Sequence, residues 1–174
     1  MKKYLITQKS GDEVYTQLST HIPEFALYRD KTTNFYNQNA QNFIQACNRF
    51  EVVKGVIHRD IKLAKELKAY GVHLTSTQFL DIPQAKDFGL KVFVSTHSLE
   101  ELEMVENLGA DFATYSPIFA TPNKGKPKGI ENLKKVLKGR KIKVFALGGI
   151  VSEKDVEQIS KTDVFGFASI RYFE

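Results

Sequence analysis

The sequence predicts a (β/α)8 TIM barrel in one domain spanning residues 1–174, and three observations carry that expectation. Short apolar runs alternate with amphipathic stretches from end to end. The runs number eight, and each but the last is followed by a segment with helical spacing. Helix start and stop signals fall between them. An open doubly wound sheet is the competing architecture, because a strand count alone does not close a sheet. No G-x-G-x-x-G follows the first strand, and no linker or compositional shift divides the chain.

Taken in order, the expected strands are Tyr4–Thr7, Phe25–Tyr28, Val52–Ile57, Val72–Leu74, Val92–Ser95, Phe112–Tyr115, Val144–Leu147 and Val164–Ile170. Ile61, Leu63, Ala64 and Leu67 share one helical face, and Leu99, Leu102, Val105 and Leu108 share another. Ser98-Leu-Glu-Glu101 reads as a capping box and Ser152-Glu-Lys-Asp155 resembles one. Gly89, Gly109 and Gly139 sit where helices end in a left-handed residue. Four residues follow Ile170, so the barrel is expected to be compact and to lack its eighth helix. That would leave Phe165, Phe167, Tyr172 and Phe173 as a bare apolar patch, and the partner expected to cover it is a second copy in a homodimer.

Composition narrows the classes. Hydrophobic residues at 42% and charged residues at 26% are ordinary for a globular domain. No apolar run approaches the roughly 20 residues of a membrane helix, and the run after Met1-Lys-Lys3 is too short for a secretory leader. No membrane partner is expected. The lone Cys47 excludes an internal disulfide and fits a cytoplasmic setting. It lies in the helical-looking Phe43-Ile-Gln-Ala-Cys47, which argues for packing rather than catalysis. The net charge is +5, with lysines such as Lys62, Lys65 and Lys68, or Lys134, Lys135 and Lys138, spread along helical faces. With no helix-turn-helix, zinc-finger or RNP pattern, no nucleic-acid partner is expected. A positive field that draws in anionic substrates explains the charge.

In such a barrel the chemistry lies at the carboxyl ends of the strands. Those ends carry Arg29, Asp30 and Lys31, then His58, Arg59 and Asp60, then His73, Thr75 and Ser76, then Ser95, Thr96 and His97. Next come the loop Ser116–Lys124 with Thr121, Asn123 and Lys124, the pair Gly148-Gly149, and finally Ser169 and Arg171. Guanidinium and ammonium groups neutralise a phosphate, while hydroxyls and bare backbone amides orient it. The expected ligand is therefore a phosphorylated small molecule. Gly148 and Gly149 lie near the usual barrel phosphate site. His58, His73 and His97 share no compact ligand spacing, so no metal site is expected. His73 alternates with core residues and reads equally as a hydrogen-bonded barrel histidine.

The segments Tyr4-Leu-Ile-Thr7, Tyr28-Arg-Asp-Lys31, Gly71-Val-His-Leu74, Val94-Ser-Thr-His-Ser98, Ser116-Pro-Ile-Phe119, Thr121-Pro-Asn-Lys124 and Ala146-Leu-Gly-Gly-Ile150 occur in order. Together they resemble the thiamine-phosphate synthase family and its TenI-like relatives, the thiazole tautomerases. The resemblance implies a barrel, often dimeric, and for the synthases a reaction that joins a hydroxymethylpyrimidine pyrophosphate to a thiazole phosphate with magnesium's help. It implies pyrophosphate contacts for Arg29 and Lys31, loop contacts for Thr121 and Lys124 with Asn123 in place of a threonine, a phosphate seat at Gly148 and Gly149, and a substrate serine at Ser95.

The family's magnesium carboxylates are not matched. His58-Arg59 stands where the family shows Asn-Asp, and Gln78 stands at the second carboxylate, so no cofactor is expected. Pro117 stands where the tautomerases carry a histidine, and proline moves no proton. The leading expectation is a TenI-like member binding a thiazole phosphate or a similar phosphorylated heterocycle. Its phosphate would sit on Gly148, Gly149 and the Ser169–Ile170 backbone. If it is catalytic, His97 or His58 would act as the acid/base. The alternatives are an active thiamine-phosphate synthase, in which the fixed cations Arg29, Lys31 and Arg59 act on the leaving pyrophosphate instead of metal, and a non-catalytic ligand-sensing regulatory protein.

Overall fold

A computed structural model describes residues 1–174. Eight parallel strands form the barrel: β1 (Lys2–Thr7), β2 (Phe25–Tyr28), β3 (Lys54–His58), β4 (Gly71–Leu74), β5 (Lys91–Thr96), β6 (Phe112–Tyr115), β7 (Lys143–Leu147) and β8 (Gly166–Ser169). Strand β1 pairs with both β2 and β8, which closes the sheet and removes its edges. Around it lie α1 (Gly11–His21), α2 (Tyr36–Cys47), α3 (Ile61–Glu66), α4 (Ile82–Asp87), α5 (Leu99–Asn107), α6 (Gly129–Leu137) and α7 (Glu153–Ser160).

Alternation along the strands divides the core in two. Tyr4, Ile6, Phe25, Leu27, Val56, Phe93, Phe112, Phe145 and Ala168 face inward and form a cluster of their own. Their neighbours Leu5, Ala26, Ile57, Val92, Ala113, Val144 and Phe167 face outward into the layer shared with the helices. Five aromatic rings, those of Tyr4, Phe25, Phe93, Phe112 and Phe145, fill the base of the barrel. Phe93 and Phe112 stack with centroids 4.3 Å apart. This floor closes the barrel at its amino end, so any site must open at the other.

Local signals behave largely as the sequence suggests. Gly89, Gly109 and Gly139 follow their helices with φ of 77°, 88° and 74°. Ser152 and Asp155 form a full capping box. Ser98 caps α5 through the Glu101 amide, but the Glu101 carboxylate accepts from His97 N instead of closing the box. Six of the eight strands differ from expectation at one or both ends, among them β3 and β8. Strand β3 begins at Lys54, whose amide donates to Glu24 O at 3.0 Å, and runs on to His58, leaving Val52 exposed ahead of it. Strand β8 stops at Ser169 because Ile170 already has turn geometry, φ −96° and ψ −63°.

The carboxyl-terminal rings correct the expectation of a bare patch. After β8 a 3-10 turn, Arg171–Phe173, folds back over the outer face of the strand. Phe173 stacks parallel to Phe167 at 5.9 Å, His21 meets its edge at 5.3 Å, and Gln17 Nε2 donates to its carbonyl at 3.0 Å. Phe167 and Phe173 are buried, and Tyr172 is half-buried against both. Phe165 turns toward the barrel floor, 5.3 Å from Phe145. This turn covers the outer face of β8 at Phe167. No helix is long and apolar enough to cross a membrane. Cys47 is buried on α2, and burial pushes its thiol up to about 12, as a packing residue requires.

Candidate functional site

The carboxyl ends of the strands open into a cavity of about 340 Å³. Of the residues expected there, Arg29, Lys31, His58, Ser95, His97, Thr121, Lys124, Gly148 and Ile170 line it. Ile6, Leu27 and Leu147 form its apolar wall. They sit two residues above Tyr4, Phe25 and Phe145, so period-two counting from the aromatic floor finds them. Sequence reasoning had not named Ile6 or Leu147.

One side of the cavity is cationic. The Arg29 amide donates to Thr7 O at 2.8 Å, which ties the β2 end to β1. Lys31 lies two residues on. Arg59 follows β3 with a left-handed φ of 67°, and its amide donates to His73 O at 2.9 Å. Lys31 holds its proton less tightly than an ordinary lysine because Arg29 stands beside it, followed by burial, Lys124 and Arg59. His58 is pushed down to about 3, first by burial and then by Arg29, Arg59 and Lys31. Arg59 is therefore part of the same charged group, although its side chain lies beside the main cavity with His58, Lys31, Asp30 and Tyr36. Four cations repel one another here, and an anion would relieve that repulsion.

No carboxylate lines the cavity. Asp30 accepts from the Thr32 amide and hydroxyl, each at 2.8 Å, and closes its own turn. Asp60 caps α3 by accepting from Leu63 N at 2.9 Å. Gln78 braces two loops, donating to Arg59 O at 3.3 Å and Asp81 Oδ2 at 3.2 Å while accepting from Thr75. Mg²⁺ takes hard oxygen ligands, chiefly carboxylates. A set of guanidinium, ammonium, imidazole and hydroxyl groups does not fit it. Nowhere in the chain do three His, Cys, Asp or Glu side chains gather as a metal site.

The opposite side carries imidazoles and hydroxyls. His97 Nδ1 lies 3.1 Å from the Ser116 carbonyl oxygen, which can only accept, and 3.3 Å from the Ser116 hydroxyl, so Nδ1 is assigned a hydrogen and Nε2 is left unpartnered. His97 is exposed at the cavity rim, whereas His58 and His73 are buried. Of the three, His97 has the geometry of a base.

The glycine pair serves packing as well as access. Gly148 and Gly149 have φ of 100° and 71°. The β6–α6 loop docks on them, with Ile118 N donating to Leu147 O at 2.9 Å and Phe119 N to Gly148 O at 3.0 Å. A Cβ on Gly148 would stand 2.8 Å from Pro117 Cα, and one on Gly149 would stand 2.7 Å from Ala120 O. Gly148 lines the cavity, while Gly149 lies beneath the loop. The Ser169 side chain is turned away, donating to Ile150 O at 2.7 Å and accepting from Tyr172 N at 3.2 Å. Asn123 is an exposed left-handed turn residue, φ 58°, outside the lining. Thr121 lines the cavity but donates its hydroxyl hydrogen to Phe119 O at 3.0 Å.

Residues 4–173 match the family model described as thiamine monophosphate synthase. The thiamine-phosphate synthase of Lactococcus lactis subsp. lactis (strain IL1403) is 28% identical over 177 residues, covering 97% of this chain and 77% of that protein. A relative in Aquifex aeolicus (strain VF5) is 36% identical over 121 residues, covering 68% of this chain and 64% of that protein, a little under two thirds. The structure of thiamine phosphate pyrophosphorylase from Pyrococcus furiosus superposes with a TM-score of 0.84 at 26% identity, covering 97% of this chain and 85% of that one. The chain belongs to the thiamine monophosphate synthase family.

Proposed function

We propose that the chain is an enzyme of the thiamine-phosphate synthase type whose cavity binds a thiazole phosphate or a similar phosphorylated heterocycle. The observation that carries the reading is the convergence of Arg29, Lys31 and Lys124 on a cavity lined by no carboxylate, with Arg59 beside it. Ile6, Leu27 and Leu147 suit the faces of a heteroaromatic ring, and the glycine turn suits a phosphate. Gly148 and the Ile170 backbone would seat the phosphate of the thiazole.

In this reading the second substrate is a hydroxymethylpyrimidine pyrophosphate. Its carbon–oxygen bond breaks, and the electron pair leaves on pyrophosphate. The thiazole ring nitrogen donates its lone pair to the freed carbon, forming the carbon–nitrogen bond of thiamine phosphate. Arg29, Lys31, Arg59 and Lys124 stabilise charge developing on the leaving pyrophosphate, a role that fixed cations perform without reorganisation. His97 Nε2 is the acid/base available to departing or arriving protons. The work is cytoplasmic, a setting supported by the lone, buried Cys47 thiol. A homodimer completes the proposal, with half-buried Tyr172 as the ring left to meet a partner.

Calorimetric titration with inorganic pyrophosphate and with thiazole phosphate tests the reading. Both should bind without added metal. Arg29→Ala or Lys31→Ala should weaken pyrophosphate about 10- to 100-fold, the worth of a charge-assisted contact. Binding that needs Mg²⁺, or that ignores both substitutions, contradicts it.

A further inference from the structure

A line of three polar side chains descends from the cavity into the aromatic floor. Ser95 Oγ lies 2.9 Å from His73 Nε2, and His73 Nδ1 lies 2.9 Å from the Tyr4 hydroxyl. Tyr4 is sealed from solvent and His73 nearly so, with Phe25, Phe93 and Phe145 packed around the phenol ring.

The direction of the hydrogens follows from what each group can do. The Tyr4 hydroxyl has one hydrogen and one hydrogen-bond partner, His73 Nδ1. Were Nδ1 protonated, the phenol could only accept, and its own hydrogen would be stranded in an aromatic core, a costly state for a buried donor. Tyr4 therefore donates and Nδ1 accepts. Burial holds the imidazole neutral, so its single hydrogen lies on Nε2 and is donated to Ser95 Oγ. Ser95 has no other hydrogen-bond partner and lines the cavity, so its hydroxyl hydrogen faces the ligand space.

We propose that Tyr4 and His73 are positioning residues that hold the Ser95 hydroxyl as a one-way donor, so that the ligand atom resting there is an unprotonated acceptor. A ring nitrogen of a pyrimidine and an oxygen of a phosphate both meet that description. The hydrogen direction is a property of the ligand-free chain. Only the ligand class rests on the reading above.

The test begins with a long-range nitrogen-15 correlation spectrum of the ligand-free protein. His73 is expected as the Nε2–H tautomer, with Nδ1 an acceptor. A protonated Nδ1 overturns the proposal while leaving the cationic site untouched. Wild type, Tyr4→Phe, Ser95→Ala and the double variant are then titrated with hydroxymethylpyrimidine and, separately, with inorganic pyrophosphate. Ser95→Ala should weaken one probe about 3- to 10-fold, the worth of a neutral hydrogen bond. The responding probe identifies the acceptor as ring nitrogen or phosphate oxygen. Tyr4→Phe should weaken the same probe, and the double variant should be no worse than Ser95→Ala. Losses that add, or indifference of both probes to Ser95→Ala, overturn the relay. Should Tyr4→Phe fail to fold, the wild-type spectrum still decides the direction.

Discussion

The Arg59 amide donates to the His73 carbonyl at 2.9 Å, and that bond holds Arg59 in a left-handed conformation at the edge of the cavity. An arginine gains nothing intrinsic from φ of 67°, a region that costs an L-residue roughly 1–2 kcal/mol. The strain is tolerated where it sets a guanidinium beside Lys31 and His58.

Arg59→Gly should therefore separate stability from binding. Glycine accepts the left-handed backbone, so the variant should unfold at higher urea, gaining about 0.5–1 kcal/mol. Pyrophosphate affinity should fall about tenfold or more with the lost charge. Urea melts and calorimetry on one preparation read both. A variant that binds as wild type removes Arg59 from the anion site.

Restoring carboxylates should restore a metal requirement. Arg59→Asp with Gln78→Asp removes a cation and supplies two oxygen donors suited to Mg²⁺. Pyrophosphate binding by the double variant should be negligible in EDTA and recover with Mg²⁺. Equal binding in both conditions contradicts the charge-for-metal reading.

Acid should destabilise the fold before most carboxylates titrate. His58 and His73 are both depressed to about 3 in the folded state, so between pH 6.5 and 3 the unfolded chain binds protons that the folded chain does not. His58 faces Arg29, Lys31 and Arg59, and His73 faces Tyr4, Ser95, His58 and Arg29. Stability should fall with pH through this window, by up to about 1 kcal/mol per histidine between pH 6 and 5. Urea midpoints at these pH values check it, and His58→Gln should flatten the slope. A midpoint constant from pH 7 to 5 contradicts the buried neutral histidines.

Gly149→Ala should be a folding defect rather than a binding defect. Its Cβ would meet the Ala120 carbonyl oxygen at 2.7 Å, on a backbone with φ of 71°. Strain and overpacking together should cost about 2–4 kcal/mol. Thermal melting checks this, and an unchanged midpoint would mean that the β6–α6 loop does not dock as described.

The barrel was legible because strand and helix periods alternate without interruption, and Phe25–Tyr28 and Phe112–Tyr115 match their strands residue for residue. The cationic side was legible too, since Arg29, Lys31 and His58 directly follow or end apolar runs. The carboxyl-terminal aromatics were misjudged because local pattern does not reveal that Arg171–Phe173 folds back on Phe167. Ser169 was expected through its backbone, and its side chain braces Ile150 O and Tyr172 N; Asn123 was expected from the loop resemblance, and it stands exposed outside the cavity lining. Tyr4 was invisible as a polar residue, because nothing in Tyr4-Leu-Ile-Thr7 signals a histidine 69 positions away.

The most direct measurement is thiamine phosphate formation from hydroxymethylpyrimidine pyrophosphate and thiazole phosphate, followed with Mg²⁺ and with EDTA. Product should form at comparable rates in both conditions and be lost in Arg29→Ala and Lys31→Ala. Turnover that EDTA abolishes, or no product in either condition, would contradict a metal-free synthase.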